Sequence, residues 1–332
     1  MMTTTCIKHI GIISSLVYLS ISAVAKESQT TQQPEKSDDF TNAIAHIKNL
    51  PPPPDGFQWA VRPDLTDEFN GDDLDESKWY RHSPFWSNGR PPATFKPENV
   101  TVSDGFLKIK DTLLPKPEGY NGKEGDLYKY AGGAVASKAT DALFGYYETR
   151  MKASDTTMSS TFWLMGIPQK FEFVTPDGKK HIEFHCTELD IVETVGKSTK
   201  YSGWDKTMNS NAHYRVSPKE GKEKFYSKGC QSPAFKDFTC DDFHTYGCWW
   251  IDANTIKFYC DGKLIGTVNP RTDKNHQPFS LPMYIHFVTE TYNFQGVPSS
   301  ESLQDESKNK TYYDWVRVYR LVPTAQKDSN KE

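Results

Sequence analysis

The stretch Thr187-Glu188-Leu189-Asp190-Ile191-Val192-Glu193-Thr194 decides the fold. Its acidic and apolar residues alternate as far as Ile191, which is the pattern of a β-strand with one buried and one polar face. Strict alternation would place Glu193 on the apolar face. We therefore expect a β-bulge at Ile191 and Val192, where one extra residue returns Glu193 to the side of Glu188 and Asp190.

Similar short patterns continue along the chain on both sides of this strand. Residues 106–110, 145–152, 255–259 and 313–319 alternate between apolar and polar, and Asp104-Gly105 and Asp261-Gly262 are hairpin signals. No long segment carries the 3.6-residue period of a helix. The sequence therefore predicts an all-β domain, an antiparallel sandwich or barrel.

Composition narrows the classes of protein that this chain can be. The 332 residues include 8 Trp, 17 Tyr and 19 Phe, too many aromatic side chains for a disordered chain. The net charge of −4 gives no basic footprint for a nucleic acid. Beyond the N-terminal segment, no apolar run approaches the ~18 residues of a membrane span. We expect no nucleic-acid or membrane partner, and a monomer.

The N-terminal segment has the three parts of an export signal. Lys8 precedes an apolar stretch at 10–24, which ends in Ala23-Val24-Ala25. This arrangement predicts a secretory signal peptide at 1–25, with a buried helix or a membrane anchor as the alternative. Residues 26–55 are polar and end in prolines, which predicts a linker. We expect the all-β domain to occupy 56–322 and a frayed tail to occupy 323–332.

Five cysteines remain after the predicted cleavage site, namely Cys186, Cys230, Cys240, Cys248 and Cys260. Export implies an oxidising compartment, but an odd number leaves at least one thiol unpaired. Cys230 and Cys240 close a short loop and are the best candidates for a disulfide. No Cys-x-x-Cys pair or histidine-rich spacing accompanies them, so a metal site is disfavoured.

The three carboxylates suggest acid–base chemistry. Acids crowded on one face raise the pKa of the least solvated group, so one carboxyl stays protonated while another is ionised. Glu188 and Glu193 lie about 13 Å apart at Cα, and inclined side chains reach the ~5–5.5 Å carboxyl separation of a retaining glycosidase. The alternative is an edge strand with an acidic solvent face, which the apolar character of Leu189, Ile191 and Val192 disfavours.

Glu-Leu-Asp-Ile-Val-Glu resembles the ExDxxE signature of glycoside hydrolase family sixteen, in the bulged form of agarases, porphyranases and carrageenases. Stretches 67–71, 145–152, 159–164 and 312–319, with Trp79, also resemble the family, so the likeness covers about 57–321. It implies a β-jelly-roll sandwich of two antiparallel sheets with an open concave substrate cleft. It also implies a retaining mechanism, with Glu188 as nucleophile, Asp190 as the residue that orients it, and Glu193 as acid/base.

Residues around this motif are candidates for substrate binding. Trp86, Trp163 and Tyr292 are candidate stacking platforms for sugar rings, with core packing as the alternative. His213 and Glu290 are further candidates to line the cleft. Arg90, Lys138 and Arg215 are the candidate partners of a substrate sulfate. An arginine suits such an oxyanion because its guanidinium can donate two parallel hydrogen bonds. Surface ion pairs are the alternative for these cations.

The stretch Trp86-Ser-Asn-Gly-Arg-Pro-Pro92 resembles porphyranases and their carrageenan- or furcellaran-cutting relatives. We therefore expect a secreted, endo-acting hydrolase of β-1,4 linkages in red-algal galactans, with porphyran first and agarose, carrageenan or furcellaran behind. A β-glucanase for laminarin or lichenan and a non-catalytic sugar-binding jelly roll are the alternatives.

The resemblance implies no cofactor for catalysis. Many family members bind one structural calcium ion, and the matching positions are the backbone oxygens of Glu68 and Gly105 with the side chain of Asp314. Oxygen ligands of this kind suit Ca²⁺.

Overall fold

The structure is a computed structural model that describes residues 40–84, 86, 88–120, 123–200, 203–270 and 278–324. All of them belong to the unit that begins at Phe40. The predicted signal peptide and most of the predicted tail lie outside the described residues.

The described elements are mostly short strands. The strands are β1 (Phe57–Val61), β2 (Trp79–Tyr80), β3 (Ala93–Phe95), β4 (Val100–Ser103), β5 (Phe106–Lys110), β6 (Thr112–Tyr120), β7 (Lys123–Gly132), β8 (Ala134–Ser137), β9 (Gly145–Lys152), β10 (Ser159–Gly166), β11 (Gln169–Val174), β12 (Lys180–Val195), β13 (Asn209–Pro218), β14 (Lys224–Gln231), β15 (His244–Asp252), β16 (Thr255–Cys260), β17 (Lys263–Val268), β18 (Met283–Val288) and β19 (Lys310–Pro323). The α-helices are α1 (Thr41–His46) and α2 (Ser300–Gln304). Short 3₁₀ turns occur at Ile47–Asn49, Pro63–Leu65, Pro97–Asn99, Trp204–Lys206 and Pro278–Ser280.

Two large antiparallel sheets form a β-jelly-roll sandwich, which confirms the predicted fold class. Sheet I has the order β17-β16-β15-β9-β19-β5-β4, with β1 paired to β19. Sheet II has the order β14-β13-β12-β10-β18-β8-β2, with β11 paired to β12. Strands β3, β7 and β6 form a small third sheet. Among the described helices, none has the length and apolar character needed to cross a bilayer.

The main hydrophobic core lies between the two sheets. Sheet II contributes alternate residues of its central strands, among them Leu164, Leu189 and Ile285, and sheet I contributes Tyr147 and Val318. Each of these side chains is at most 1% exposed. Fully burying a large apolar side chain stabilises a fold by about 1.5–3 kcal/mol. This core fixes which face of each strand in sheet II points away from sheet I.

The segment predicted as a linker is partly folded. Helix α1 packs on sheet I, where Ala43 is fully buried and His46 Nε2 lies 2.6 Å from Glu148 Oε2. Tyr319 donates a hydrogen bond to the carbonyl of Ala43, and Trp59 donates one to the carbonyl of Pro51. The part of the predicted linker that the structure describes is therefore held against sheet I by residues of β1, β9 and β19.

The predicted Cys230–Cys240 disulfide is absent, and none of the five cysteines described here forms a disulfide. Cys230 lies on β14, and its Sγ is directed towards Gly266 of β17. Cys240 Sγ instead lies 3.3 Å from the carbonyl oxygen of Gly196. The prediction was wrong because closeness in sequence does not bring the two thiols together when one lies on a strand that packs against a neighbouring sheet.

Candidate active site

The bulge predicted in β12 is present. Asp190 pairs with Asn211 of β13, and Glu193 pairs with Asn209, so a step of three residues on β12 matches a step of two on β13. The pairing of β12 with β10 shows the corresponding shift. The extra residue brings Glu193 to the same face as Asp190 and Glu188.

This face of sheet II points away from sheet I, and we call it the carboxylate face. Leu189, Ile191 and Val192 are fully buried in the main core on the opposite side. Strand β12 lies between β10 and β13 in the interior of the sheet. The alternative of an acidic edge strand is therefore excluded.

Glu188 is paired with an arginine from the next strand. Arg215 Nη1 donates a hydrogen bond of 2.6 Å to Glu188 Oε2. Burial acts to raise the pKa of Glu188, but the positive charges of Arg215 and His213 outweigh burial and hold it below its usual value. Glu188 is consequently an ionised carboxylate at near-neutral pH.

Asp190 lies between the two glutamates and contacts a histidine. His213 Nε2 is 3.1 Å from Asp190 Oδ2. Burial, followed by the negative charge of Glu188, raises the pKa of Asp190 to about 6. Although burial opposes a charge on His213, its contact with Asp190 raises the pKa of the imidazole to about 9. A positive His213 therefore stands beside the carboxylate pair at neutral pH.

Glu193 accepts hydrogen bonds from two neutral side chains. The Tyr292 hydroxyl donates to Oε1 at 2.6 Å, and Asn211 Nδ2 donates to Oε2 at 3.0 Å. Burial, followed by the charge of Asp190, raises the pKa of Glu193 to about 7. Glu193 thus carries a proton over a pH range in which Glu188 is ionised.

Arg90 and Glu290 form an ion pair beside Glu193. Arg90 Nε lies 3.2 Å from Glu290 Oε2, and its guanidinium is 5.8 Å from the ring of Trp86 and 5.4 Å from the ring of Tyr292. The side chain of Arg90 is 38% exposed, whereas that of Glu290 is 5% exposed. The side chain of Arg90 is therefore partly open to solvent, while its aromatic neighbours and Glu290 hold it in place.

The two candidate tryptophans lie on the same side of β12. Trp163 pairs with Asp190 across the sheet and is only 7% exposed. Its ring stacks on the buried imidazole of His286 at 4.3 Å and meets the edge of Trp86 at 6.2 Å. Burial lowers the pKa of His286 to about 3, so Trp163 rests on a neutral ring.

Lys138 lies apart from the carboxylates. It follows β8, which is separated from β12 by β10 and β18, and three strand spacings amount to about 14 Å. Its ammonium group lies 5.1 Å from the ring of Tyr80. The structure therefore brings the other predicted binding residues together around the carboxylates and places Lys138 towards the opposite edge of the same sheet.

The residues predicted for calcium are engaged with arginines. Arg150 Nη1 donates to Asp314 Oδ2 at 2.6 Å, and Arg317 donates two hydrogen bonds of 2.8 Å to the carboxylate of Glu68. A guanidinium bound to the only predicted side-chain ligand opposes a cation there. In this arrangement Glu68, Gly105 and Asp314 do not fit a calcium ion.

Three residues of the carboxylate face were not predicted. Asn211 contacts Glu193, His286 supports Trp163, and Phe225 of β14 stacks on His213 with ring centroids 5.1 Å apart. Asn211 was within reach of the sequence, because the alternation in 209–213 places it on the same face as His213. His286 depends on the pairing of β18 with the distant strand β10, and Phe225 depends on the register of the β13–β14 hairpin.

A protonated and an ionised carboxyl group, on one face of a jelly roll and next to aromatic rings, can together protonate a leaving group and attack a carbon atom. Two carboxyl groups with separated pKa values are the machinery of glycoside hydrolysis. The fold and the site thus define a glycoside hydrolase.

Comparison with known proteins gives the particular family. Residues 59–321 match the family β-porphyranase A–D, GH16 domain. The β-porphyranase B of Phocaeicola plebeius is 49% identical over 94% of this chain and 99% of its own length. The β-porphyranase E of Zobellia galactanivorans is 46% identical over 82% of this chain and 92% of its own length.

A solved structure agrees with these relatives. The crystal structure of a β-porphyranase from the human gut bacterium Bacteroides plebeius is 50% identical, with a TM-score of 0.80, and the match covers 86% of this chain and 99% of that one. The chain therefore belongs to the GH16 β-porphyranase family. Glycoside hydrolases of this family act with retention of anomeric configuration and need no cofactor for catalysis.

Proposed function

We propose that this protein is an endo-acting β-porphyranase that hydrolyses β-1,4 galactosidic linkages of porphyran. The observation that carries this substrate is the partly exposed, aromatic-flanked side chain of Arg90 beside Glu193, in a chain 46–50% identical to β-porphyranases. A guanidinium that donates in parallel suits the sulfate groups of such a galactan.

The electrostatic difference between the two glutamates supports their roles. Glu188, ionised beside Arg215, attacks the anomeric carbon as the glycosidic C–O bond breaks, and Glu193 gives its proton to the leaving oxygen. A water molecule then attacks the same carbon and gives a proton to Glu193, as the bond between that carbon and Glu188 breaks. The negative charge of Asp190 and the positive charge of His213 maintain the difference between the pKa values of these two glutamates.

Substrate contacts follow from what each side chain already touches. Trp86 and Trp163 offer ring surfaces on one side of β12, and Phe225 offers one on the other side. Arg90 is the preferred sulfate ligand because it has unused donors. Arg215 is committed to Glu188, and Lys138 is the candidate for a sulfate farther along the polysaccharide.

Agarose, a neutral galactan, ranks behind porphyran because Arg90 has no necessary partner on it. Carrageenan and furcellaran, which are sulfated, rank behind porphyran because the relatives at 46–50% identity are β-porphyranases. The β-glucanase alternative leaves Arg90 without a function. The sugar-binding alternative gives no function to the difference between the pKa values of Glu188 and Glu193.

We also propose that the chain is exported, with 1–25 as its signal peptide. N-terminal sequencing of the secreted protein tests this, and a mature chain that retains residues 1–25 would contradict it.

A structural calcium ion at Glu68, Gly105 and Asp314 stays a prediction. Its binding requires Arg150 to release Asp314. Calcium titration followed by calorimetry tests that exchange.

The test of function is the release of reducing ends from porphyran, agarose, carrageenans, furcellaran and laminarin, with Glu188→Gln as the matched control. We expect release from porphyran above all others and none by the variant, which should still bind porphyran. Hydrolysis of laminarin alone, or binding without hydrolysis by the wild type, would contradict the proposal.

A further inference from the structure

Two neighbouring residues hold the carboxyl group of Glu193 from both sides. Asn211 Nδ2 donates to Oε2 and the Tyr292 hydroxyl donates to Oε1, so neither oxygen is free to rotate away. Tyr292 is 3% exposed and held by its surroundings. Asn211 is only partly buried and lies near the edge of sheet II, so its orientation depends on its neighbour on β14.

That neighbour is Gly229, which pairs directly with Asn211. A Cβ atom built on Gly229 would lie 2.3 Å from Asn211 Oδ1, 3.0 Å from Asn211 Cγ and 2.3 Å from the carbonyl oxygen of Ser210. Contacts this short are not tolerated, so any side chain at 229 displaces the amide of Asn211. The glycine is required by this close approach and not by a left-handed backbone.

Gln231, the next residue of β14 on the same face, also helps to position Glu193. Gln231 Nε2 donates to Asn209 Oδ1 at 2.7 Å, and Asn209 Nδ2 donates to the backbone carbonyl of Glu193 at 3.0 Å. The edge strand therefore contacts the bulge residue through two asparagines, one at its side chain and one at its backbone.

We propose that Gly229 is a positioning residue for catalysis: the absence of a side chain there allows Asn211 to lie against β14 and to hold Glu193 in the orientation that proton transfer requires. This inference rests on the proposed role of Glu193 as acid/base. Gly229 itself touches neither substrate nor Glu193, and its whole effect on the reaction passes through Asn211.

The kinetic test uses Gly229→Ala, Asn211→Ala and the double variant. Each single change is expected to lower kcat by about 10–100-fold with little change in KM, since misplacing a catalytic group by about 1 Å costs that much. The double variant should be no slower than Asn211→Ala, because Gly229 acts only through Asn211. Gly119→Ala is the matched control, since a Cβ atom there meets nothing within 4 Å.

Melting temperature and kcat distinguish effects on folding from effects on catalysis in these three variants. The contact with the Ser210 carbonyl remains in the double variant, so a lower melting temperature is expected in both variants that carry alanine at 229. Losses of kcat that multiply in the double variant would overturn the proposal, as would full activity of Gly229→Ala. If Gly229→Ala does not fold, Asn211→Ala alone decides, and an unchanged kcat in that variant overturns the proposal.

A second readout does not depend on the substrate. Asn211 favours the ionised form of Glu193, so both single variants should raise the pKa of Glu193 by about 0.5–1 pH unit, measured by NMR titration of glutamates labelled with ¹³C at Cδ. An unchanged titration would overturn the inference even if porphyran is hydrolysed. A raised pKa in a chain that hydrolyses no galactan would contradict the proposed function and leave the Gly229–Asn211 relationship standing.

Discussion

Arg215 on β13 donates a 2.6 Å hydrogen bond to Glu188 Oε2 on β12. The pairing of Arg215 with Cys186 places its side chain on the carboxylate face, next to Glu188. Within the part of the chain that the structure describes, the donors to Glu193, on the other side of the bulge, are the neutral groups of Tyr292 and Asn211. This difference in partners leaves Glu188 ionised as the nucleophile and Glu193 protonated as the acid at the same pH.

Loss of the guanidinium should weaken the nucleophile. Without Arg215, burial is no longer outweighed, so the pKa of Glu188 rises and the acidic limb of the kcat/KM profile moves to higher pH. We expect Arg215→Ala to lower kcat/KM by about 10–100-fold, the equivalent of a lost charge-assisted hydrogen bond. Arg215→Lys should retain more activity. The exposed Arg320→Ala is the control, and an unmoved acidic limb would refute this role.

The alkaline limb should report Glu193. The general acid must be protonated, so kcat/KM should fall with a midpoint near the pKa of about 7 that burial and Asp190 give Glu193. Tyr292→Phe removes a donor that favours the ionised form, which should move this limb to higher pH. Tyr312→Phe on sheet I serves as control. A limb that moves to lower pH would contradict the assignment.

Arg90 should distinguish sulfated from desulfated substrate. We expect Arg90→Lys to raise KM for porphyran by about tenfold or more, because a lysine lacks the planar pair of donors. The KM for chemically desulfated porphyran should stay within about twofold. The lysine keeps a positive charge beside Glu290, so the ratio of the two KM values isolates sulfate recognition. Equal increases for both substrates would show that Arg90 does not bind sulfate.

Asp111 should make stability depend on pH. It is fully buried, accepts hydrogen bonds from Ser154 and Thr156, and burial raises its pKa to about 7. A raised folded-state pKa stabilises the protein at pH below the unfolded value of 3.8, and this contribution is lost as the pH rises to about 7. The loss is at most about 4 kcal/mol, from ~1.4 kcal/mol per pKa unit.

Asp111→Asn removes this titration while an amide oxygen still accepts from both hydroxyls. Its free energy of unfolding should differ less between pH 4 and pH 8 than that of the wild type, measured by urea denaturation. At pH 8 the variant should be the more stable of the two. If the free energy of unfolding changed with pH in the same way in the wild type and the variant, ionisation of Asp111 would not destabilise the folded protein.

The sequence predicted the bulge because the chemistry requires Glu193 on the side of Asp190, and a strand has one way to achieve this. The alternation that recurs along the chain predicted an antiparallel sandwich or barrel, and the resemblance to the family predicted the jelly roll. The folded part of the predicted linker was missed because polar composition does not reveal contacts such as that of His46 with Glu148. Register between strands distant in the chain also determines which cations reach the carboxylates, which is why Arg215 and Lys138, both proposed for sulfate, have such different surroundings.

The most direct test of the account is to identify the residue that becomes bonded to the sugar. A 2-deoxy-2-fluoro galactoside with an activated leaving group, extended by the next sugar of porphyran, slows the second step and allows the bound sugar to accumulate. Peptide mass spectrometry should find it on Glu188, and Glu188→Gln should remain unlabelled. A sugar attached to Glu193 or to Asp190 would contradict the central claim.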